Sequence, residues 1–284
     1  MWGQTGYAFL AEFLDTLARN YGAGLRLLDF QQKPEPSRQT INDWVSDQTE
    51  EKIKDLIPQG GITPDTRLVL ANAIYFDADW QHPFSKDRTQ DAPFNTLDGE
   101  QVTVPMMATE DPVSLSYAQG EGYQAVELPY QGGQMSMLIL VPDAGRFEAF
   151  EAALDAGRVE TILGQIQSQV VILRMPKFSY TSDFELAKTL AALGMPVAFR
   201  HREADFSGMD GTRDLFIGDV FHKAFVAVDE AGTEAAAATA VVMKAIAMPL
   251  FDVELTVDRP FVFLILDLET GTILFVGRVL NPSG

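Results

Sequence analysis

The sequence predicts an α+β fold, with mixed β-sheets and surrounding helices. Helix and strand patterns follow one another without a strict β-α repeat, and the C-terminal part is rich in strands. No internal repeat divides the chain, and no linker rich in glycine and serine is present. The 284 residues are therefore interpreted as one large domain, residues 1–284, rather than two small ones.

Four segments have the spacing of apolar residues that is typical of amphipathic helices. They are residues 7–21, 37–56, 147–163 and 184–193. Gly22 and Gly194 end the first and the last, and Gly157 interrupts the third. Ser37 is suited to cap the second helix, and the few apolar residues of that helix predict a place on the surface.

Strand patterns occur throughout the chain and dominate its end. They cover residues 25–30, 66–76, 101–107, 134–141, 170–175, 250–258, 261–268 and 272–279. Residues 66–76 are almost entirely apolar, which predicts a strand covered on both faces. Thr270 and Gly271 predict a tight hairpin between the last two strands.

Composition excludes several classes of function. The formal net charge of −19 argues against binding to nucleic acid or to anionic lipid. The chain has no cysteine, so it has no disulfide, no thiol nucleophile and no cysteine-based metal site. Its histidines, His82, His201 and His222, share no short metal-ligand spacing, and no cofactor is expected. The first residues do not have the pattern of a signal peptide, and no apolar run is long enough to predict a membrane span.

One biased segment, residues 229–249, is rich in alanine and allows two interpretations. Helix propensity favours a surface helix capped by Thr233. Alternation favours a strand, because every second residue from Thr233 to Met243 is small or apolar, whereas Glu234 and Lys244 have the opposite parity. A segment compatible with both states is what a conformational switch requires.

The same segment carries a family resemblance. Glu-Ala-Gly-Thr-Glu-Ala-Ala-Ala at 230–237 resembles the hinge of the reactive-centre loop in serpins, a family of serine protease inhibitors. Further segments resemble the family in the same order along the chain. They are the stretches 70–80, 104–107, 175–178, 221–224, 258–263 and 277–282. The resemblance implies a serpin-like fold with an exposed loop at about 230–250, and it implies that the family's N-terminal helical portion is missing here.

In this family the loop is bait for a protease. The target protease forms an acyl-enzyme at the loop, and the cleaved loop then inserts into the central sheet and distorts the protease. The attacking serine belongs to the partner, so the resemblance implies an inhibitor that is not itself an enzyme and has no catalytic residues. The expected partner is a serine protease met outside the cell, and the protein is expected to be a monomer.

The reactive bond follows from counting along the loop. With Thr233 at the family's fourteenth position before the cleaved bond, that bond is Ile246–Ala247. An isoleucine suits a medium-sized apolar pocket, which favours elastase-like or subtilisin-like targets. Lys244 is the alternative residue before the bond and would direct trypsin-like enzymes. Because heparin is a polyanion and the surface is acidic, activation by heparin is not expected.

The resemblance also identifies residues that control insertion. The hinge comprises Glu230, Gly232, Thr233, Glu234, Ala235, Ala236 and Ala237. Gly232 is expected to adopt a positive φ, with a plain helix stop as the alternative. Thr233 is expected to enter the sheet first, with a helix cap as the alternative. For Glu230 and Glu234, the alternative interpretation is that they are solvated surface charges without a role in insertion.

Three residues outside the loop are also expected to control its insertion. Asn72 and His222 are expected to hydrogen-bond across neighbouring strands, in the region called the shutter, where the bond would set how easily the central sheet opens. The alternative for His222 is a core histidine whose hydrogen bonds are satisfied locally. Trp80 corresponds to the breach tryptophan at the top of that sheet, where core packing is its first expected role. A serpin-like binding protein or protease substrate, without trapping, remains the alternative function.

Overall fold

The computed structural model describes residues 1–22, 24–233 and 250–283. These residues form two compact units. Unit 1 contains Met1–Tyr75 and Thr181–Phe225, and unit 2 contains Phe76–Tyr180 and Val226–Gly284. Both helices and mixed sheets are present, as the α+β prediction requires.

The elements are numbered in chain order. The helices are α1 (Ala11–Tyr21), α2 (Pro34–Gln48), α3 (Phe147–Ala152), α4 (Ala156–Gln165), α5 (Ala187–Ala192) and α6 (Ser207–Asp210), with a 3-10 helix at Pro196–Phe199. The strands are β1 (Trp2–Gln4), β2 (Arg26–Leu28), β3 (Leu68–Val69), β4 (Asn72–Tyr75), β5 (Ala78–Asp79), β6 (Ser85–Asn95), β7 (Gln101–Ala108), β8 (Val113–Gly120), β9 (Tyr123–Pro129), β10 (Met135–Pro142), β11 (Gln167–Pro176), β12 (Phe178–Glu185), β13 (Phe221–Val228), β14 (Gly232–Thr233), β15 (Val253–Thr256), β16 (Phe261–Asp267) and β17 (Ile273–Val279).

Helix α2 differs from its prediction at both ends. It begins at Pro34, because a proline in the first turn loses no hydrogen bond, and Ser37 is buried within the helix instead of capping it. It ends at Gln48, so Ile53 and Leu56 lie in the irregular segment that follows. The helix is also not a surface element, since its residues Ile41 and Val45 belong to the buried core of unit 1.

The segment after α2 is held down by a buried amide. The side chain of Asn42 donates to the carbonyl of Ile57 at 2.9 Å and accepts from the Ile57 N–H at 2.9 Å. Both polar groups of that backbone residue are thereby paired, which allows an irregular segment to be buried without orphaned donors. Apolar spacing alone could not distinguish this arrangement from a longer helix.

The apolar stretch 66–76 forms two short strands, and the expectation that both faces are covered is wrong. In unit 1, Val69, Ala71 and Ala73 pack against the core beneath α2. On the opposite face, 63% of Leu70 is exposed and Asn72 is exposed as well. A continuous apolar run does not reveal which face is covered, because strand residues alternate between faces whatever their composition.

Unit 2 is built on a large sheet. Among the described residues its strand order is β17-β16-β10-β9-β8-β11-β7-β6, with β15 pairing in parallel with β11. Helices α3 and α4 contribute to a core cluster with β8, β9, β10 and β16. The predicted helix at 147–163 is thus two helices. The break lies before Gly157, because the side chain of Asp155 caps α4 by accepting from the Arg158 N–H at 2.8 Å.

Three other predicted boundaries can be compared directly. The antiparallel pairing of β16 with β17 confirms the predicted hairpin, and Gly271 at its turn has φ 70°. Helix α1 ends before Gly22 as predicted but begins only at Ala11. The last predicted helix starts at Ala187 because Phe184 belongs to strand β12. None of the helices in the described ranges has the length and apolar character needed to span a membrane.

Candidate functional site at the loop hinge

The structure brings the predicted site residues into two groups. Glu230, Gly232 and Thr233 lie with Trp80 in unit 2, and Asn72 and His222 lie together in unit 1. The remaining predicted residues lie outside the described part of the chain. They are Ile246, Ala247, Lys244, Glu234, Ala235, Ala236 and Ala237.

A tight turn at Asp229 starts the hinge. Its carboxylate oxygen Oδ1 accepts the backbone N–H groups of Ala231 at 2.8 Å and Gly232 at 3.2 Å. The Asp229 N–H donates to the Gly232 carbonyl at 3.0 Å. The turn directs β14 into antiparallel pairing with β5, with Gly232 opposite Asp79 and Thr233 opposite Ala78. Sequence reasoning missed Asp229, although an aspartate shortly before a glycine is a known turn signal.

Gly232 is required at its position by close packing. Its φ is not positive, so the expectation of a left-handed conformation is wrong. A Cβ atom at this position would lie 2.2 Å from the carbonyl oxygen of Ala78 and 2.7 Å from the Cα of Asp79. Only glycine therefore allows the backbone of β14 to approach β5 this closely.

Thr233 is a buried strand residue and does not cap a helix. Its exposed fraction is 0%, and its Oγ1 lies 2.7 Å from the hydroxyl oxygen of Tyr130. Tyr130 is fully buried too, and this burial raises the pKa of its phenol far above the ordinary value. The pair is thus a neutral hydrogen bond in an apolar environment. Tyr130 was not found from the sequence, because nothing local connects it with residue 233.

Trp80 contacts the hinge both through Tyr130 and directly. Its ring stacks on Tyr130 with a centroid distance of 4.6 Å and an interplanar angle of 12°. Its indole N–H donates to the carbonyl of Asp229 at 3.0 Å, and its backbone N–H donates to the carbonyl of Ala231 at 2.8 Å. Core packing is therefore accompanied by direct hydrogen bonds to the turn.

Glu230 is a buried charge with two partners. Only 5% of the residue is exposed, which rules out a purely solvated carboxylate. Lys177 donates to its Oε2 at 2.7 Å and Thr89 donates to its Oε1 at 2.7 Å. Burial acts to raise the pKa of Glu230, but the hydrogen bonds from Lys177 and Thr89 outweigh it, so the pKa lies below its usual value.

Asn72 and His222 are opposite each other in unit 1. Strands β4 and β13 pair in parallel, and this register aligns the two residues. The Asn72 side-chain nitrogen Nδ2 lies 3.2 Å from Nδ1 of His222. With the amide as donor, Nδ1 is the acceptor and the ring proton is on Nε2. The ring of Phe184 stacks on the imidazole at 6.2 Å.

Comparison with known proteins decides the family. A family model described as Serpin (serine protease inhibitor) matches residues 1–282. The chain belongs to the serpin family. Across its described ranges the structure holds no group of three or more histidine, aspartate or glutamate side chains that could bind a metal ion.

Individual relatives agree with this assignment. An uncharacterized serpin-like protein of Thermococcus kodakarensis is 41% identical over 286 residues, which cover 100% of this chain and 65% of that protein. The leukocyte elastase inhibitor of Equus caballus is 40% identical over 290 residues, covering 99% of this chain and 76% of that protein. A crystal structure of uncleaved ovalbumin matches with a TM-score of 0.89 at 29% identity, covering 99% of this chain and 75% of ovalbumin. The serpin-like α+β fold predicted from the sequence is thus confirmed.

Proposed function

We propose that this serpin inhibits serine-type endopeptidases as a suicide substrate, with the segment after Thr233 as bait. The observation that carries the proposal is the antiparallel pairing of Gly232 and Thr233 with Asp79 and Ala78. The first hinge residues already form a short strand, and Thr233 is fully buried in it. Further pairing in the same alternation would direct Ala235, Ala237 and the later residues of that parity to the same face.

The proposed chemistry uses the serine of the target. Its hydroxyl oxygen attacks the carbonyl carbon of Ile246, the bond to the nitrogen of Ala247 breaks, and that nitrogen leaves as an amine with one added proton. An ester then joins Ile246 to the protease, and the protein acts as an inhibitor rather than a catalyst. Water hydrolyses the ester unless insertion of the loop distorts the protease first. Inhibition therefore depends on a race between the two steps.

We propose elastase-like or subtilisin-like enzymes as targets. Ile246 before the cleaved bond suits their apolar pockets, and leukocyte elastase inhibitors are relatives at about 40% identity. Lys244 is the competing residue and would select trypsin-like enzymes. The proposal includes a monomeric inhibitor that meets its target outside the cell, the serpin domain spanning residues 1–284 and a reactive-centre loop at about 230–250.

Incubation with elastase, subtilisin and trypsin tests this function. The expected product on a denaturing gel is a band with the combined mass of inhibitor and protease, and mass spectrometry of the released peptide should locate cleavage after Ile246. Cleavage after Lys244 by trypsin, with a covalent band, would transfer the assignment to that residue. A cleaved loop without any covalent band would instead favour the alternative, a serpin-like binding protein or substrate.

A thermal measurement separates the two functions independently. An inhibitor that inserts its loop gains strand pairing after cleavage, so its unfolding temperature should rise strongly once the loop is cut. A protein that is only a substrate should melt at the same temperature before and after cleavage. Pairing of β14 with β5 predicts the first result.

A further inference from the structure

Leu250 is the most exposed large apolar side chain in the ranges 1–22, 24–233 and 250–283, with an exposed fraction of 94%. The next residue, Phe251, is also apolar and is 44% exposed. Single exposed apolar residues are common on proteins and need no partner. Two consecutive ones at the end of the proposed bait loop are a different case, because a protease that attacks the loop comes to lie beside them.

A fixed point follows this exposed pair directly. The Asp252 N–H donates to the Val170 carbonyl at 2.8 Å, and Oδ2 of Asp252 accepts from the Val170 N–H at 2.9 Å. Strand β15 begins at the next residue, Val253, and pairs in parallel with β11. Leu250 is therefore only two residues from a fixed position, which limits the conformational entropy that is lost when a partner buries its side chain.

The length of the intervening chain keeps Leu250 beside a docked protease. It lies three positions after Ala247, and an extended chain of that length spans at most about 11 Å. A protease domain of about 230 residues has a radius of gyration of about 17 Å. The protease surface around a bond to Ile246 therefore extends past Leu250 on the side of the leaving amine.

The charges closest to Leu250 in the sequence already have partners. Asp252 uses a carboxylate oxygen to accept from the backbone of β11. Glu254 forms an ion pair with Arg174 at 2.9 Å, which cancels its charge locally. Burial of an apolar side chain, and not charge, is therefore the main interaction that this end of the loop offers to a partner.

We propose that Leu250 is a specificity-determining residue, whose side chain fits an apolar depression on the target protease beyond the leaving side of the cleaved bond. The inference rests on the proposed function and adds a contact that the reactive bond does not provide. The anchored Asp252 and β15 hold the side chain in place, and Phe251 forms the edge of the contact. Proteases with a charged surface at that position react more slowly, although they cut the same bond.

The rate of loop cleavage tests the proposal, measured as the sum of free cleaved protein and covalent complex. The enzyme is whichever of elastase and subtilisin reacts faster with the parent. Leu250→Ser should lower the second-order rate constant about tenfold, the loss that corresponds to one buried leucine side chain. Leu250→Met keeps an apolar side chain of similar volume and should react about as fast as the parent.

Two controls exclude other causes of a slower reaction. Leu268→Ser is the matched variant, because Leu268 is 45% exposed in the turn after β16, and the rate should stay unchanged. The ratio of rates between the parent and Leu250→Ser should be equal at about 0.05 M and about 0.5 M salt, since screening weakens charge interactions but not apolar burial. All variants should unfold at the temperature of the parent, because both side chains are exposed.

The contact and the inhibition can fail separately. A covalent band with equal rates for the parent and Leu250→Ser would overturn the role of Leu250 and leave inhibition standing. Slower cleavage of Leu250→Ser without any covalent band would refute inhibition and support the contact. No cleavage of the parent by either enzyme would overturn both.

Three further results would also overturn the contact. They are a rate ratio that shrinks at high salt, a loss for Leu250→Met as large as that for Leu250→Ser, and an equal loss for Leu268→Ser. If sedimentation finds the parent as a dimer and Leu250→Ser as a monomer, the apolar pair binds a second copy and the proposed partner is wrong.

Discussion

The ammonium group of Lys177 lies 2.7 Å from Oε2 of Glu230, and this ion pair anchors the residue that precedes the paired hinge strand. The carboxylate is buried while the lysine is about one third exposed. Thr89 completes the coordination of Glu230 through its other oxygen. Removal of the lysine therefore leaves a desolvated charge with a single side-chain donor.

We expect Lys177→Met to lower the free energy of unfolding by about 2 kcal/mol, the usual range for a lost charge-assisted hydrogen bond. Urea unfolding followed by circular dichroism measures it. Lys86→Met, at an exposed position of β6, is the matched control and should change stability by less than about 0.5 kcal/mol. Equal effects of the two substitutions would contradict the role of the ion pair.

The same carboxylate predicts a pH dependence. Because the pKa of Glu230 is lower in the folded protein than its usual value of 4.5, its ionised form contributes stability above that value. The contribution is lost as the pH falls from 4.5 through the folded-state pKa. Glu230→Gln should therefore lose less stability than the parent between about pH 5 and about pH 3. If the free energy of unfolding from urea titrations falls equally for the parent and for Glu230→Gln across this pH range, the prediction is refuted.

Thr233→Arg should abolish trapping without protecting the loop from cleavage. A buried strand position with 0% exposure has no room for an arginine, so insertion cannot begin. Glu234→Arg is the control, because neighbouring strand residues face opposite sides. On a denaturing gel with elastase, we expect only cleaved protein for Thr233→Arg and a covalent band for Glu234→Arg. Identical behaviour of both variants would contradict a loop insertion in which residue 233 faces into the sheet and residue 234 faces away from it.

Tyr130→Phe should cost about 1–2 kcal/mol of stability, since it leaves the buried hydroxyl of Thr233 without that partner. The phenyl ring retains the stack on Trp80. Thr233→Val removes the other hydroxyl, and the double variant should be less destabilised than the sum of the single variants by about 1 kcal/mol. Strict additivity in this cycle would show that the two hydroxyls are not coupled.

Gly232→Ala should destabilise the pairing of β14 with β5 by about 1–3 kcal/mol, the usual cost of overpacking. The new methyl group would meet the Ala78 carbonyl. Gly164→Ala is a suitable control in the same unit, because a Cβ at that position of helix α4 meets no atom within 4 Å. In thermal unfolding, Gly232→Ala should lower the unfolding temperature, and Gly164→Ala should not lower it.

The predictability of the site differs from residue to residue. Glu230, Gly232, Thr233, Trp80 and the pair of Asn72 and His222 were all singled out from motifs. Asp229 was missed although its turn signal is local. Thr89, Tyr130 and Lys177 were given no role, because each acts through a partner far away in the chain. Tyr130 and Thr233 are 103 residues apart, and Lys177 and Glu230 are 53 apart. Local patterns contain no information on such contacts.

The sequence by itself determined the α+β class, the serpin family and the C-terminal hairpin, because periodicity, turn residues and ordered motifs are local features. Only the tertiary structure decided that α2 is a core helix ending at Gln48, that one face of the apolar stretch 66–76 is exposed, and that Gly232 serves close packing instead of a positive φ. The physical reason is the same in each case. Burial, ion pairing and steric fit depend on which distant segments meet, and that is settled only when the chain has folded.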